Sequence, residues 1–431
     1  MIASRLDGFI VEVGVDVQAL LRLDADLNDF VEDVFVSLRR KGWQERCSCY
    51  LTGLMLDGQR KSVQPMAERL DEANEQSLQH FLANTPWDPV PVRQRLARRM
   101  HKVINPSAWV FDDTGFIKDG RMSPCVARQY TGTAGKITNC QVATTLHLAT
   151  DQESCPINWR LFMPESWDPS SPKASADVIQ RRAAAGIPDD EHHRPKWQLA
   201  LQCVDEALSW GLPPPPVAVA DSGYGDSGEF RHGLTRGDIP YAVQISPTLT
   251  VLPATATRTT PPYSGRGPRP KPRYEQRGQS VKDHIMALGS KRAARITWRT
   301  GSQQRHGEPQ PITSRFVFCR VLQADAGTRS VHKGQDLPEC WLIAEWPARA
   351  KQPTRYWLCT LPANTRKTRL IQACKQRWRV EHDYRELKTS LGLDHYEGRK
   401  WAGWHHHVTL VAAAHGFLTW LRHHPKATVS E

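Results

Sequence analysis

Two short apolar runs constrain this chain most, because each closes on an acid. "SAWVFDD" ends at Asp112 and Asp113, and "VAVAD" ends at Asp221. Short apolar runs bounded by turn residues read as strands. A carboxylate closing such a strand is expensive to bury without a partner, often a metal ion. One such acid alone is more often a turn or helix cap. Two of them invite a search for a third.

The surrounding pattern is β-β-β-α-β-α-β. "SPCVARQY" and "NCQVATTLHLA" follow the first run across short Gly-containing links and predict an antiparallel meander. Residues 151–195 read as irregular. "KWQLALQCVDEALSWG" predicts an amphipathic helix closed at Gly211, and "YAVQIS" a strand beyond "VAVAD". Gly223 and Gly225 predict a tight turn after Asp221. "GTAGK" lacks the spacing of a phosphate-binding loop, with Ile137 where Ser or Thr is needed.

Flanking this core, residues 1–100 predict an all-helical domain, from "VQALLRLDADLNDFVEDVFVSL" and "RKSVQPMAERLDEANEQSLQHFL". Arg60, Lys61, Arg98 and Arg99 there are phosphate contacts or a solvated face. Residues 101–248 form the first part of the core. Residues 249–365 begin with the basic "TRTTPPYSGRGPRPKPRYEQRG", too rich in Pro and Gly for a dense core. Four strand-like runs follow it, which predicts a β-rich insertion. Residues 366–431 return to helix.

The third acid lies in "RWRVEHDYRELK", residues 377–388. At about 100° per residue, Arg377, Glu381, Arg385 and Lys388 fall within an arc of roughly 80°. Val380, Tyr384, Leu387 and Leu391 form an adjoining apolar stripe, and Glu386 points elsewhere. An i,i+4 ion-pair ladder is the plain explanation. Strand-end acids followed by a flanked glutamate instead make a set of hard oxygen donors, which favours Mg²⁺ or Mn²⁺ over zinc. The "HHH" at 405–407 cannot converge on one ion and reads as an exposed polar turn.

A formal charge of +12 suits a polyanionic partner, nucleic acid above all. Ten scattered Cys residues read as reduced thiols. No run of about 18 apolar residues occurs, and "MIASRLDGFIVEVGVD" has no signal-peptide pattern, so no membrane is expected.

"FDDTGFIKDGRMSPCVARQYTGTAGKITNCQVATTLHL", "VAVADSGYG" and "RWRVEHDYRELKTSLGLDHYEGRKWAGWHHHVTL" together resemble insertion-sequence transposases of the DDE type. That branch carries Y-x2-R-x3-E-x6-K around its third carboxylate. Arg377, Glu381 and Lys388 match the spacing, while Cys374 occupies the tyrosine position. The resemblance runs from about residue 50 to about 420. It implies an α/β fold, an RNase H-like mixed sheet flanked by helices, with the helical domain before it and the β-rich insertion before the last catalytic helix. Relatives tend to read D-x-T at the first strand end, which favours Asp112 over Asp113, the alternative first carboxylate.

The expected function is a DNA transposase that binds its element's ends and performs metal-dependent strand cleavage and strand transfer. Two Mg²⁺ or Mn²⁺ ions would be bridged by Asp112 and completed by Asp221 and Glu381. Arg377, Arg385 and Lys388 would hold phosphates, and Trp298 would stack on a base. The expected partners are double-stranded DNA, as terminal inverted repeats and target, and a second copy of the chain on paired ends. The expected location is the cytoplasm, on the nucleoid. A nuclease or resolvase without strand transfer, or a domesticated DNA-binding protein, is the competing reading.

Overall fold

In a computed structural model of the chain, residues 17–70, 73–305 and 308–424 are described. The N-terminal stretch read above for a leader pattern lies outside them. In chain order the elements begin with helices α1 (Val17–Val34), α2 (Lys41–Met55), α3 (Val63–Ala67), α4 (Glu75–Ala83) and α5 (Pro89–Ile104). Strands β1 (Ala108–Ile117), β2 (Ala127–Thr131), β3 (Lys136–Ala149) and β4 (Ser154–Leu161) follow, then α6 (Val178–Ala185) and α7 (Lys196–Ser209). Next come β5 (Ala218–Ala220), α8 (Ser222–Gly225), α9 (Gly228–Arg236), β6 (Tyr241–Ile245) and β7 (Thr250–Pro253). The basic segment holds only β8 (Arg258–Thr259) and β9 (Arg273–Tyr274), before β10 (Gln279–Ser280) and α10 (Val281–Leu288). The chain continues through β11 (Ala294–Arg305), β12 (Glu308–Gln323), α11 (Ala326–Val331), β13 (Glu339–Glu345) and β14 (Arg355–Cys359). Helices α12 (Lys367–Lys375), α13 (Trp378–Thr389) and α14 (Trp401–His423) complete it.

These elements pack as two compact units. The first takes the described parts of Met1–Pro106, Asp113–Pro213 and Arg379–Glu431; the second takes Ser107–Asp112 and Pro214–Trp378. Strand β1 and helix α13 each belong partly to both.

In the first unit, β2, β3 and β4 form the antiparallel meander. Helix α5 starts where Asp88 accepts a hydrogen bond from Val90 N, with Pro89 at its first position, and stops at Asn105 in the left-handed region (φ 46°). Strand β4 corrects the reading of 151–195 as irregular. Its residues "SCPINWRL" are buried almost throughout, so no alternation marks them, and Pro156 obscures the run. Helix α14 is the core helix of this unit. Phe417 meets Phe30 with ring centroids 5.3 Å apart, and His406 stacks on Trp87 at 3.9 Å.

The histidine run is therefore not an exposed turn. His406 and His407 are each 1% exposed inside α14. Their rings meet distant partners: His406 Nδ1 lies 2.7 Å from Leu82 O and Nε2 2.8 Å from Trp87 O, and His407 meets Tyr50 Oη at 2.9 Å and Leu393 O. Lys61 is likewise buried, its ammonium donating to Leu56 O, while Arg60 pairs with Glu397 on the surface.

The second unit is built on a mixed sheet flanked by helices. Strand β5 is parallel to β1 on one side and to β6 on the other. Strand β14 runs antiparallel to β6, β13 to β14, and β12 to β13, so the run after the basic segment continues the sheet that holds β5. The chain's ten cysteines are free thiols, all buried except Cys319. No described helix is long and apolar enough to cross a membrane.

Candidate active site

The first acid sits within β1, not at its end. Asp112 is 6% exposed, between Phe111 and Asp113, and the strand runs on to Ile117. In the parallel register Trp109 pairs with Ala218 and Val110 with Val219. The same offset, continued by two residues, reaches Asp112 and Asp221. The paired register ends at Val110 and Val219, and Asp221 follows one residue past β5 with an extended backbone (φ −80°, ψ −176°). Neighbouring strands lie about 4.8 Å apart, and in-register residues point to the same face. Asp112 and Asp221 thus each lie two residues beyond the last paired residues of adjacent parallel strands.

Asp113 points the other way, as alternation along a strand requires. In the first unit it pairs with Lys196 Nζ at 2.5 Å, from α7, and accepts from Thr144 Oγ1 of β3 at 3.4 Å. Asp112 instead receives Arg377 Nη1 at 3.0 Å.

Asp221 also caps α8, accepting from Gly223 N at 2.9 Å. Close approach, rather than a left-handed turn, explains the second of the glycines that follow. A Cβ on Gly225 would fall 1.9 Å from Gln244 O of β6, so only glycine lets α8 sit on that strand.

Glu381 lies in the first turn of α13, in the first unit, with its side chain exposed. Arg385 is exposed on the same helix. Lys388 donates to Gly115 O and to Thr133 Oγ1, each at 2.8 Å, and burial lowers its pKa against the opposing pull of Asp394. In the second unit Trp298 is half-buried, edge-on to Phe316 at 5.5 Å, with Lys375 Nζ 5.2 Å from its ring. Cys374, at the tyrosine position of the signature, is buried in α12, which pushes its thiol pKa up. Among the described residues, no three His, Cys, Asp or Glu side chains stand together as a ready-made metal site.

One cluster was not read from the sequence. Asp383 of α13 is fully buried, with Oδ2 3.0 Å from His147 Nδ1 of β3 and Oδ1 2.6 Å from Ser154 Oγ of β4. His147 Nε2 reaches Thr145 Oγ1 at 3.1 Å, and Thr145 bonds Tyr384. Arg379 Nε donates to Ser154 Oγ at 3.1 Å. Burial alone would raise the Asp383 carboxyl. The His147 hydrogen bond, the charges of His415 and His147, and the Ser154 hydroxyl outweigh it and hold the group below the ordinary carboxylate range. The sequence signal is positional: at helical spacing Asp383 falls about 40° beyond Leu387, flanking the stripe of Val380, Tyr384 and Leu387 on the side away from the charged arc. An acid there needs a buried partner.

Residues 33–305 match the family described as DDE superfamily endonuclease. The chain is also 28% identical over 196 residues to a protein of Microchaete diplosiphon named probable transposase for insertion sequence element IS701. That match covers 45% of this chain and 46% of the relative, so the chain spans about half the relative's length. Acids on adjacent central strands, and a family match over more than half of its residues, lead to one conclusion: the chain belongs to the DDE superfamily endonuclease family.

Proposed function

We propose that this protein is a DNA transposase, binding the ends of its mobile element and carrying out strand cleavage followed by strand transfer. The observation that supports the reading is the parallel pairing of β1 with β5, whose offset, continued by two residues, reaches Asp112 and Asp221, in a chain of the DDE endonuclease family. The named relative, a probable transposase, supports it. Under this reading the core is RNase H-like, with a helical end-binding domain before it and a β-rich insertion ahead of α13.

The donor chemistry of Asp112, Asp221 and Glu381 fits a hard divalent ion, since all three offer carboxylate oxygen and none is a thiolate or imidazole. These residues would hold two Mg²⁺ or Mn²⁺ ions, which when bound supply an activated water, a stabilised leaving oxygen and neutralised phosphate charge. Arg377 holds the Asp112 carboxylate in place from one side. Arg385 and Lys388 bind backbone phosphates by charge-assisted contacts, and Trp298 stacks on a base near the cleaved end. The partners are double-stranded DNA, as terminal inverted repeats and target, and a second copy of the chain on the paired end. The protein works in the cytoplasm on nucleoid DNA.

The test uses labelled DNA from the two flanks of the gene, where this reading expects inverted repeats. The wild-type protein with Mg²⁺ or Mn²⁺ should nick that DNA and join the freed 3′ end to a second duplex. Asp112→Asn, Asp221→Asn and Glu381→Gln should each abolish both steps while retaining binding. Cleavage by Asp112→Asn at the wild-type rate would overturn the carboxylate assignment. Cutting without joining would reduce the reading to a nuclease.

A further inference from the structure

Helix α5 carries a stripe of cations. At about 100° per residue, Arg95, Arg98, Arg99 and Lys102 fall within roughly 100° of arc, away from the buried Leu96, Met100 and Ile104. The stripe lines a cleft of about 640 Å³ in the first unit, closed on the other side by Trp210 and the residues after it. Among the described residues, four cations line it and one carboxylate, Asp33.

The arginines are held in position. Arg98 Nε donates to Trp210 O at 2.6 Å. Arg99 pairs with Asp33 at 2.8 Å and sits 4.8 Å from the Phe30 ring centroid, with Trp420 at 5.5 Å. Arg95 reaches the same carboxylate. Sharing one acid leaves an excess of positive charge in a concave site, where low-dielectric walls concentrate the field. From Arg95 to Lys102 the stripe extends about 10 Å along the helix axis. That is about three times the rise per nucleotide of one DNA strand. A single phosphate would engage one end of it, whereas a strand backbone engages it all.

We propose that the cleft between α5 and the C-terminal end of α7 is a DNA backbone site, in which Arg98 and Lys102 contact successive phosphates and Arg95 and Arg99 supply the surrounding field. The inference rests on the reading of the chain as a DNA-acting enzyme, and it involves none of the three carboxylates.

The experiment measures affinity for duplex DNA in EDTA as a function of KCl, for the full chain and for Arg98→Ala/Lys102→Ala. Each lost phosphate contact lowers the log–log salt slope by about 0.9. The double variant is expected to lower it by about 2 and to weaken binding equally for different sequences. Arg349→Ala/Lys351→Ala, which removes the same charge from an exposed loop of the second unit, serves as control. Lys102→Gln alone, expected to lower the slope by about 1, keeps the test usable if the double variant folds poorly. A slope unchanged in the α5 variants, or lowered equally by the control, would overturn the proposal. So would saturable binding of inorganic phosphate, lost in the variants, with DNA affinity intact. Failure of the transposase reading shows differently, as absent cleavage with the wild-type salt slope preserved.

Discussion

The carboxylate of Asp112 in β1 is held by Arg377 at 3.0 Å, and Asp221 lies one residue past the end of β5, the parallel neighbour of β1. Two carboxylates about 5 Å apart repel by about 3 kcal/mol at an effective dielectric constant of 20. A buried acid in that position requires a cation, and Arg377 supplies one positive charge. The pair remains a place where added positive charge is stabilising.

Arg377→Gln removes that charge. In EDTA the variant is expected to unfold at a lower temperature than the wild type, because Asp112 is left buried beside a like charge. Added Mg²⁺ should then raise its melting temperature more than it raises that of the wild type. Calorimetric scans with and without Mg²⁺ check this, and equal shifts in the two proteins would contradict it.

Asp383→Ala strands His147 and Ser154 without their acceptor. Removing one partner of a buried charged network costs about 3–5 kcal/mol. Urea denaturation should show a loss of that order. The double variant Asp383→Ala/His147→Ala should lose clearly less than the sum of the single changes, since both report on one contact. Additivity would mean that the contact carries no energy.

Gly225→Ala places a methyl 1.9 Å from the Gln244 carbonyl. Backbone has to move, at a cost of about 1–3 kcal/mol, and α8 shifts together with its cap, Asp221. Expected outcomes are a lower urea midpoint and a cleavage rate reduced by more than stability accounts for at 25 °C. Wild-type values for both would refute the close-approach argument.

Stability should fall on mild acidification. Burial holds His407 at about 3 in the folded protein, well under its ordinary value. Because the folded pKa is the lower one, the unfolded chain binds more protons below about 6.5, and stability is lost as pH drops from there toward 3. At pH 5 this one group accounts for about 2 kcal/mol. Burial lowers His405, His406 and His415 in the same sense. Urea midpoints between pH 7 and pH 5 should decline steeply for the wild type and less steeply for His407→Gln. An identical decline would place the titration elsewhere.

The sequence by itself determined what depends on residues near one another along the chain. "SAWVFDD" and "VAVAD" had to become strands because short apolar runs between turns leave little else, and 377–388 had to be a helix with one apolar and one charged face. The order of the acids, and the resemblance it carries, follows from those local patterns. Tertiary structure decided whatever depends on a partner hundreds of residues away. The D-x-T pattern favours Asp112 over Asp113, but their partners, Arg377 for Asp112 and Lys196 for Asp113, come from far along the chain. His406 and His407 read as an exposed polar turn until Trp87 and Tyr50 meet their rings inside a helical core. Asp383 looks like one more charge on a charged helix until His147 and Ser154 close on it. Polar burial is a property of pairs, and a linear sequence names only one member of each pair at a time.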